Sequence, residues 1–254
     1  MKKKILFACD LDNTLLISHR QRQNDDICVE YVQGKEQSFM TVKAIDLLRK
    51  IQQEVDFVPV TTRSIEQYQR IKWPNGCEPE WAVTTNGAVL LHKGVADEKW
   101  SQSVKLLIDN WLGELQVQYE RQGQSAKYIR CRIVDNSYLF LYCDEEAEVK
   151  AMVEHCREQT NLIVEGVGRK IYFFPPGMDK GWALMQLKEH LGDNYAFSAG
   201  DSPIDESMLK LADEAIAGYG LHVELDGVCW HQPLETVYSE WLLEKVLERL
   251  SEKE

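Results

Sequence analysis

The chain is organised around the stretch Ile5-Leu6-Phe7-Ala8-Cys9-Asp10-Leu11-Asp12-Asn13-Thr14-Leu15-Leu16. Its first part, Ile5–Cys9, is continuously apolar, which is typical of a strand buried on both faces of a sheet. Two carboxylates follow, and acids at such a position are costly unless a cation or a reaction compensates them. Because open α/β sheets bind ligands at the carboxyl ends of their strands, the stretch predicts an acidic, cation-requiring catalytic site. An Asx turn beside a solvated neighbour is the alternative that these residues alone leave open.

The composition is that of an ordinary globular protein, with 44% hydrophobic and 28% charged residues among 254. A formal net charge of -12 argues against a nucleic-acid backbone as the main partner. No apolar stretch approaches membrane-spanning length, so we expect no membrane partner. The seven cysteines lack CxxC spacing and predict free thiols in a reducing cytoplasm. The six histidines are scattered, without the spacing of zinc ligands.

Buried strands alternate with helical segments at both ends of the chain. Residues 55–60 and 81–85 predict two further strands in the first part, and residues 195–199 and 214–217 predict two in the last part. Residues 234–250 predict a terminal amphipathic helix that packs on the core. This alternation favours an α/β core with a doubly wound, Rossmann-like parallel sheet.

The middle of the chain follows a different order, in which one helix is followed by two strands, twice. The first helix is marked by Leu106, Leu107, Trp111 and Leu115. The later elements are predicted at residues 128–134, 138–143, 147–156 (the second helix), 161–165 and 170–174. We therefore expect an inserted α+β unit (αββαββ) at residues 89–175, within a core formed by residues 1–88 and 176–254.

Four separate segments place polar groups at strand ends or helix starts. These groups are Asp10, Asp12 and Thr14, then Thr61, then Lys180, and finally Asp201 and Asp205. Each has an ordinary structural alternative: Asp205 could close a capping box with Ser202, Lys180 could be a solvated lysine, and Thr61 could satisfy a turn. Their joint occurrence in an alternating α/β frame predicts a single site.

Phosphoryl transfer is a reaction that needs these residue types together. A phosphate monoester adds about two negative charges to a site that already holds several carboxylates. Like charges a few Å apart repel by roughly 4 kcal/mol per pair at an effective dielectric near 20. A lysine, oriented donors and Mg²⁺ offset that repulsion, and Mg²⁺ takes carboxylate and phosphate oxygens as ligands. One carboxylate can then attack phosphorus, while a second protonates the leaving alkoxide and later activates water.

These residues resemble the motifs of the haloacid dehalogenase (HAD) superfamily of phosphohydrolases. The matches, in chain order, are Asp10-Leu11-Asp12-Asn13-Thr14 for DxDxT, Thr61, Lys180, and Gly200-Asp201 through Asp205 for GDxxxD. The resemblance implies that Asp10 is the nucleophile and Asp12 the general acid/base. It also implies phosphoryl-oxygen contacts from Thr61 and Lys180, with Thr62 lining the same pocket. The metal ligands it implies for Mg²⁺ are Asp10, the backbone carbonyl of Asp12, Asp201 and Asp205.

The inserted unit looks like the type C2B cap of that superfamily, and Thr84-Thr85-Asn86-Gly87-Ala88 is similar to the segment that leads into such a cap. Among its members the chain most resembles the sucrose-phosphate, mannosyl-3-phosphoglycerate and Cof-like phosphatases. That resemblance implies a small phosphorylated metabolite, a sugar phosphate, as the substrate. Asn86 and Arg63 are the candidate substrate contacts outside the motifs.

Two residues depart from the family pattern. Thr62 stands where many relatives carry glycine, and Ile204 stands where many carry asparagine. Ile204 removes a polar side chain that could support the metal site, which leaves the role of Asp205 toward the metal open. Two other functions also stay open: a phosphomutase with the same phosphoaspartate, and a non-enzymatic, receiver-like module that binds phosphate.

Overall fold

A computed structural model describes residues 5–225 and 227–253; residues 1–4 and 254, at the ends of the predicted core, and residue 226 lie outside the described part. The strands of the described part are β1 (Ile5–Cys9), β2 (Ile17–Ser18), β3 (Ile27–Val32), β4 (Lys35–Met40), β5 (Asp56–Pro59), β6 (Trp81–Thr84), β7 (Val89–His92), β8 (Val95–Ala96), β9 (Tyr128–Val134), β10 (Tyr138–Cys143), β11 (Ile163–Val167), β12 (Lys170–Phe174), β13 (Tyr195–Gly200), β14 (Glu214–Ala217) and β15 (Val228–His231). The helices are α1 (Val42–Ile51), α2 (Ile65–Gln69), α3 (Glu98–Ile108), α4 (Leu112–Gly123), α5 (Val149–Arg157), α6 (Lys180–Leu191), α7 (Glu206–Leu211) and α8 (Tyr238–Ser251).

The central sheet has the strand order β15-β14-β13-β1-β5, and every pairing in it is parallel. The predicted doubly wound α/β core is therefore confirmed. Its edge strand β15 was not predicted from the sequence. Strand β6 continues the sheet beyond β5 through a parallel bridge between Val60 and Val83.

The two faces of β1 explain its unbroken apolar sequence. Phe7 and Cys9 pack in a cluster that includes residues of α1 and α8, while Leu6 and Ala8 pack in a second cluster with residues of α3 and α6. All four residues are fully buried. Helices thus cover both faces of the parallel sheet, which requires near-continuous hydrophobicity in its central strand.

The middle of the chain forms an antiparallel sheet of order β11-β12-β10-β9, with α4 and α5 contributing to its hydrophobic core. The predicted strand–strand–helix–strand–strand order is present. The first helix differs from expectation because a 3₁₀ turn at Asp109–Trp111 divides it into α3 and α4. Leu106, expected on the inner face, is 76% exposed, because α3 buries Trp100, Val104 and Ile108 instead.

Residues at the predicted start of the inserted unit pack with the core. Strand β7 pairs antiparallel with β6, and β8 pairs with β7. Helix α3 contributes to the same cluster as β1 and α6. The chain therefore leaves the parallel sheet at β6 and adds a small antiparallel sheet and a helix to the core before it reaches α4.

The segment between β1 and α1 forms a hairpin, in which β3 and β4 pair antiparallel across Gln33 and Gly34. Both turn residues have positive φ, 52° at Gln33 and 76° at Gly34. No helix in the described residues is long and apolar enough to cross a membrane. All seven cysteines are unpaired, as expected from their spacing.

Candidate active site

The predicted acids and the lysine meet at the carboxyl end of the central sheet. Asp10 follows β1 and donates its backbone N–H to Ala199 O of the neighbouring β13 at 2.9 Å. Lys180, the first residue of α6, extends its Nζ to Asp10 Oδ1 at 2.5 Å and to Asp205 Oδ1 at 2.6 Å. The Lys180 and Asp205 side chains are almost completely buried. The lysine therefore bridges two acids from separate parts of the chain.

The loop after β13 supplies the other acidic pair. Thr14 Oγ1 donates to Asp201 Oδ1 at 3.0 Å, which joins the first and last motifs. Asp205 Oδ2 accepts hydrogen bonds from Ser202 Oγ at 2.7 Å and from Ser202 N at 2.9 Å. The sequence left the capping box and the acidic cluster as alternatives for Asp205, and Asp205 takes part in both. Gly200 permits this close approach, because a Cβ there would lie 2.4 Å from the Asp205 Cβ.

Burial and mutual repulsion perturb the acids. Burial raises the pKa of Asp10 to about 7, even though Lys180 lowers it. Burial, followed by the charges of Asp10 and Asp205, raises the pKa of Asp201 to about 8. Burial lowers the pKa of Lys180, but the two carboxylates that it contacts outweigh this effect and raise it. One lysine does not neutralise the cluster, so the site favours a further cation.

The carboxylates fit a magnesium ion. One oxygen each of Asp10, Asp201 and Asp205 lie within 4.8 Å of one another. An all-oxygen, carboxylate-rich donor set suits Mg²⁺ and not the softer metals that prefer thiolate or imidazole. Both Asp205 oxygens already accept hydrogen bonds, from Lys180 and from Ser202. Asp10 and Asp201 are therefore better available as direct ligands, with Asp205 fixing their surroundings.

The threonine motif lies in the loop after β5. Thr61 is 1% exposed, donates its backbone N–H to Val83 O, and accepts at its carbonyl the N–H of Asn86 at 3.0 Å. Its Oγ1 accepts the backbone N–H of Arg63 at 3.2 Å. Ser64 then caps α2 through a capping box with Gln67. The loop is thus fixed on both sides at the sheet edge that carries Asp10.

Arg63, a candidate substrate contact, is bound to Asp12 instead. Its Nη2 lies 2.6 Å from Asp12 Oδ1 and its Nε lies 3.0 Å from Asp12 Oδ2. A further ion pair joins Arg63 Nη1 to Glu30 Oε2 at 2.9 Å. Burial raises the pKa of Asp12, but the charge and hydrogen bonds of Arg63 outweigh it and hold the pKa at about 2. Sequence patterns did not single out Glu30, because one acid in a hairpin strand is normally solvated.

Asn86, the other candidate substrate contact, lies in a strained turn. Both Thr85 and Asn86 have positive φ, 55° and 56°, which costs energy in residues other than glycine. Asn86 is 1% exposed, and within the described residues its Oδ1 has no hydrogen-bond partner. Asn86 also lines a cavity of about 250 Å³ together with Phe174 and Ile204. Its side chain is therefore available to a ligand or a water.

The antiparallel sheet contacts this loop cluster directly. Tyr138 Oη donates to the Thr62 carbonyl at 2.6 Å, and Asp135 Oδ2 accepts from Thr85 Oγ1 at 2.6 Å. Ile204 packs with Tyr138, Tyr172 and Phe174 of the sheet, among other residues. The sequence identified the turn at Asp135 but not its partner, because the contact spans fifty residues.

Lys170 brings positive charge from the same sheet. Its field contributes, after that of Arg63, to the low pKa of Asp12. The pKa of Lys170 is raised in turn. Tyr172 has the largest influence and raises it, burial lowers it, and the charges of Asp12 and Asp10 raise it further. Strand β12 therefore faces its lysine toward the acid-bearing end of the central sheet.

Solved structures share this fold across nearly the whole chain. The sucrose-phosphatase from Synechocystis sp. PCC6803, solved with sucrose and phosphate, matches with a TM-score of 0.67 and 16% identity over 98% of both chains. A haloacid dehalogenase-like hydrolase from B. subtilis matches with a TM-score of 0.60 and 18% identity over 97% of this chain and 99% of its own. At such identities the likeness shows the fold. Together with the motif geometry and a matching family model, it identifies the chain as a HAD-type phosphatase.

A family model narrows that class. The model described as sucrose-6F-phosphate phosphohydrolase matches residues 3–218, and the chain belongs to this family. A protein from Pyrobaculum islandicum named phosphoglycolate phosphatase is 28% identical over 215 residues, which are 84% of this chain and 81% of that protein. The chain is thus similar to phosphatases whose names give quite different substrates, a disaccharide phosphate and a two-carbon acid phosphate.

Proposed function

We propose that the chain is a Mg²⁺-dependent phosphomonoester hydrolase that acts through an aspartyl-phosphate on a small phosphorylated metabolite. The observation that carries the proposal is the contact of Asp10 with Lys180 at the end of β1, beside Asp201. A nucleophilic carboxylate needs a neighbouring cation to approach an anionic phosphoryl group. A phosphomutase would share this arrangement, but the matching family is described as a phosphohydrolase, so we prefer a hydrolase.

In the proposed reaction, Asp10 attacks phosphorus and Asp12 protonates the departing oxygen. Lys180 stabilises negative charge on the phosphoryl oxygens, and the Thr61 and Thr62 loop lines the other side of the pocket. Approach of a dianionic ester favours the protonated form of Asp12, since like charge raises the pKa of a carboxyl. When bound by Asp10, the Asp12 carbonyl and Asp201, Mg²⁺ supplies charge neutralisation. Asp205 orients Lys180 and the Asp201 loop.

We propose a sugar phosphate as the substrate, with the carbon skeleton read by the antiparallel sheet. The family description and the sucrose-phosphatase fold support this choice. The name of the Pyrobaculum relative supports a smaller, acid-bearing ester as the second candidate. Lys170 bears on the choice between these two substrates. A second cation near the site favours the ester that carries a second anionic group.

We propose that the antiparallel sheet with α4 and α5 is the cap, inserted between two segments of the core. The sequence suggested residues 89–175 for the cap and residues 1–88 and 176–254 for the core. The packing of β7, β8 and α3 on the core supports a later start, near Asp109. A cytoplasmic location remains a prediction from the unpaired cysteines.

A panel of phosphate esters tests the proposal. Purified protein with Mg²⁺ is assayed for phosphate release from sugar monophosphates, 2-phosphoglycolate and p-nitrophenyl phosphate, without any bisphosphate. We expect turnover of several esters, a preference within the panel, and loss of activity in excess EDTA. Isomerised sugar phosphate without released phosphate would favour the mutase, and no turnover at all would favour the receiver-like module.

The substrate class is tested with Lys170→Met against Lys127→Met on the neighbouring exposed loop. If the substrate carries a second anion, Lys170→Met raises KM for 2-phosphoglycolate by about tenfold more than for glucose 6-phosphate, the factor of about 1.4 kcal/mol. Equal effects on both esters would remove Lys170 from substrate selection.

A further inference from the structure

Asp12 is bound by Arg63, and Arg63 is bound in turn by the buried Glu30. Arg63 binds both Asp12 oxygens through Nη2 and Nε, at 2.6 and 3.0 Å. The same guanidinium binds Glu30 Oε2 through Nη1 at 2.9 Å and Ser38 Oγ through Nη2 at 3.1 Å. Ser38 Oγ in turn donates to Glu30 Oε2 at 2.7 Å. Glu30 and Ser38 belong to β3 and β4, so the chain of contacts ends in the hairpin.

Burial makes this arrangement rigid. The side chains of Glu30 and Arg63 are 1% and 8% exposed, whereas that of Asp12 is 39% exposed. A planar guanidinium that binds a carboxylate with two hydrogen bonds fixes the plane of the carboxylate as well as its position. Removing one partner of a buried ion pair leaves the other charge buried and uncompensated, so Glu30 restrains Arg63 strongly. Asp12 is thus fixed on its inner side and open on its outer side.

We propose that Glu30 and Arg63 are positioning residues that hold the Asp12 carboxyl in the orientation required for proton transfer. This inference rests on the proposed function, in which Asp12 is the general acid/base. As an Asp10 oxygen bonds to phosphorus, the bond from phosphorus to the leaving oxygen breaks, and that oxygen takes the proton that Asp12 acquires from solvent when the dianionic ester binds. In the second half, Asp12 takes a proton from water as the water oxygen bonds to phosphorus and the Asp10–phosphorus linkage breaks.

Two substrates of nearly equal size distinguish a misoriented acid from general damage to the site, because they differ in how much their leaving oxygen needs a proton. Phenyl phosphate needs protonation of its leaving oxygen much more than p-nitrophenyl phosphate does. The value of kcat/KM reports the steps up to departure of that oxygen, so it excludes the later hydrolysis of the phosphoenzyme. With Mg²⁺ present, kcat/KM is measured for both esters with the wild type, Glu30→Gln, Arg63→Lys and Asp12→Asn.

We expect Glu30→Gln and Arg63→Lys to lower kcat/KM for phenyl phosphate by about tenfold or more, within the range of general acid catalysis. For p-nitrophenyl phosphate the expected loss is below about threefold. Asp12→Asn, which removes the acid itself, gives the largest difference between the losses on the two esters. Arg70→Gln is the matched control. Arg70 binds the other Glu30 oxygen at 3.0 Å without contacting Arg63 or Asp12 in the described hydrogen bonds, so the ratio of the two substrates should not change.

Equal losses on both esters in Glu30→Gln and Arg63→Lys would overturn the positioning role, and so would no loss. A wild type that releases phosphate from neither ester would instead overturn the proposed function. Crystal structures of the wild type and Glu30→Gln then decide the inference without any activity. We expect the two-hydrogen-bond contact between Arg63 and Asp12 in the wild type and its loss or rotation in the variant. An unchanged contact in Glu30→Gln would show that Glu30 does not hold Arg63.

Discussion

Lys180 shows how single residues reconcile an acidic site with a folded core. Two carboxylates and one ammonium group share a nearly dry environment, with contacts of 2.5 and 2.6 Å. The net negative charge that remains is the physical reason why we propose a cation at this site. A buried ion pair of this type is weak evidence for stability, but it is a recurrent feature of sites whose pKa values are tuned for chemistry.

Glu214 provides a contrasting case in which buried charge serves stability. It accepts hydrogen bonds from Tyr195, Trp230 and Arg249, the last two through Oε2 at 3.1 and 2.8 Å. Burial raises the pKa of Glu214, but these partners and Lys253 lower it from 4.5 to about 2. A lowered pKa stabilises the fold above pH 4.5, and this contribution is lost as the pH falls toward 2.

We therefore predict that Glu214→Gln lowers the free energy of unfolding at pH 7 by roughly 3 kcal/mol, and that this difference shrinks as the pH falls from 4.5 toward 2. Urea unfolding at pH 7, 4 and 3 measures it. Glu252→Gln, which removes the exposed partner of the same Arg249, is the control and should change stability by less than about 1 kcal/mol. A Glu214→Gln deficit that is constant with pH would contradict the explanation.

The elements around the site are held together by close backbone approaches. Helix α6 presents Lys180 to the acids because its second residue, Gly181, lets it touch α7. A Cβ on Gly181 would lie 2.7 Å from the Ser207 carbonyl oxygen, and the Gly181 N–H donates to Ser207 Oγ at 3.0 Å. The position of the lysine thus depends on the absence of a side chain at the next residue.

We predict that Gly181→Ala destabilises the protein by about 1–3 kcal/mol through overpacking, although alanine is the better helix former. Gly113→Ala in α4, where an added Cβ meets nothing within 4 Å, should stabilise the protein by about 0.5–1 kcal/mol. Thermal unfolding of both variants measures the difference. If both substitutions stabilised the protein, the contact between α6 and α7 would not be tight.

Sequence patterns predict some of these elements well and others poorly. The strand at β1 and the acids at its end were recognisable, because continuous hydrophobicity followed by charge has few explanations. The edge strand β15 was not, since its half-exposed residues carry no such contrast. The division between α3 and α4 was missed because Trp111 and Leu115 continue the helical periodicity of Leu107 across the 3₁₀ turn.

Candidate site residues divide in the same way. Asp10, Asp12, Lys180, Asp201 and Asp205 were predicted to share one site, and they lie at one edge of the sheet. Their roles remain predictions. The partners that orient them could not be predicted, because each contact joins segments far apart in sequence. Glu30 reaches Arg63 across 33 residues, and Tyr138 reaches Thr62 across 76.

At the scale of the whole molecule, Ile204 provides one of the contacts between the antiparallel sheet of β9 to β12 and the loops at the end of the central sheet. This residue of the GDxxxD loop is 9% exposed and packs among aromatic residues of the antiparallel sheet. The sequence suggested that Ile204 weakens the metal site by replacing a polar residue. Its packing indicates another role, an apolar contact between the antiparallel sheet and the loop that carries Asp201 and Asp205.

We predict that Ile204→Asn loosens this contact, because a polar amide would replace an apolar side chain in a cluster of aromatic residues. Hydrogen exchange should become faster in β10 and β12 and stay unchanged in β1. Leu211→Asn, at a side chain that is 47% exposed in α7, is the control and should leave all three strands unchanged. Unchanged exchange in β10 and β12 of Ile204→Asn would show that other contacts hold the two sheets together.

The most direct measurement compares phosphate release from p-nitrophenyl phosphate by the wild type and by Asp10→Asn, each with Mg²⁺ and with excess EDTA. We expect Mg²⁺-dependent turnover by the wild type and a loss of about 10³-fold or more in Asp10→Asn, because the covalent step requires an anionic oxygen. Circular dichroism should show that the variant is folded. More than about a tenth of wild-type activity in folded Asp10→Asn, or full wild-type activity in EDTA, would contradict the assignment of Asp10 as the nucleophile of a metal-dependent phosphatase.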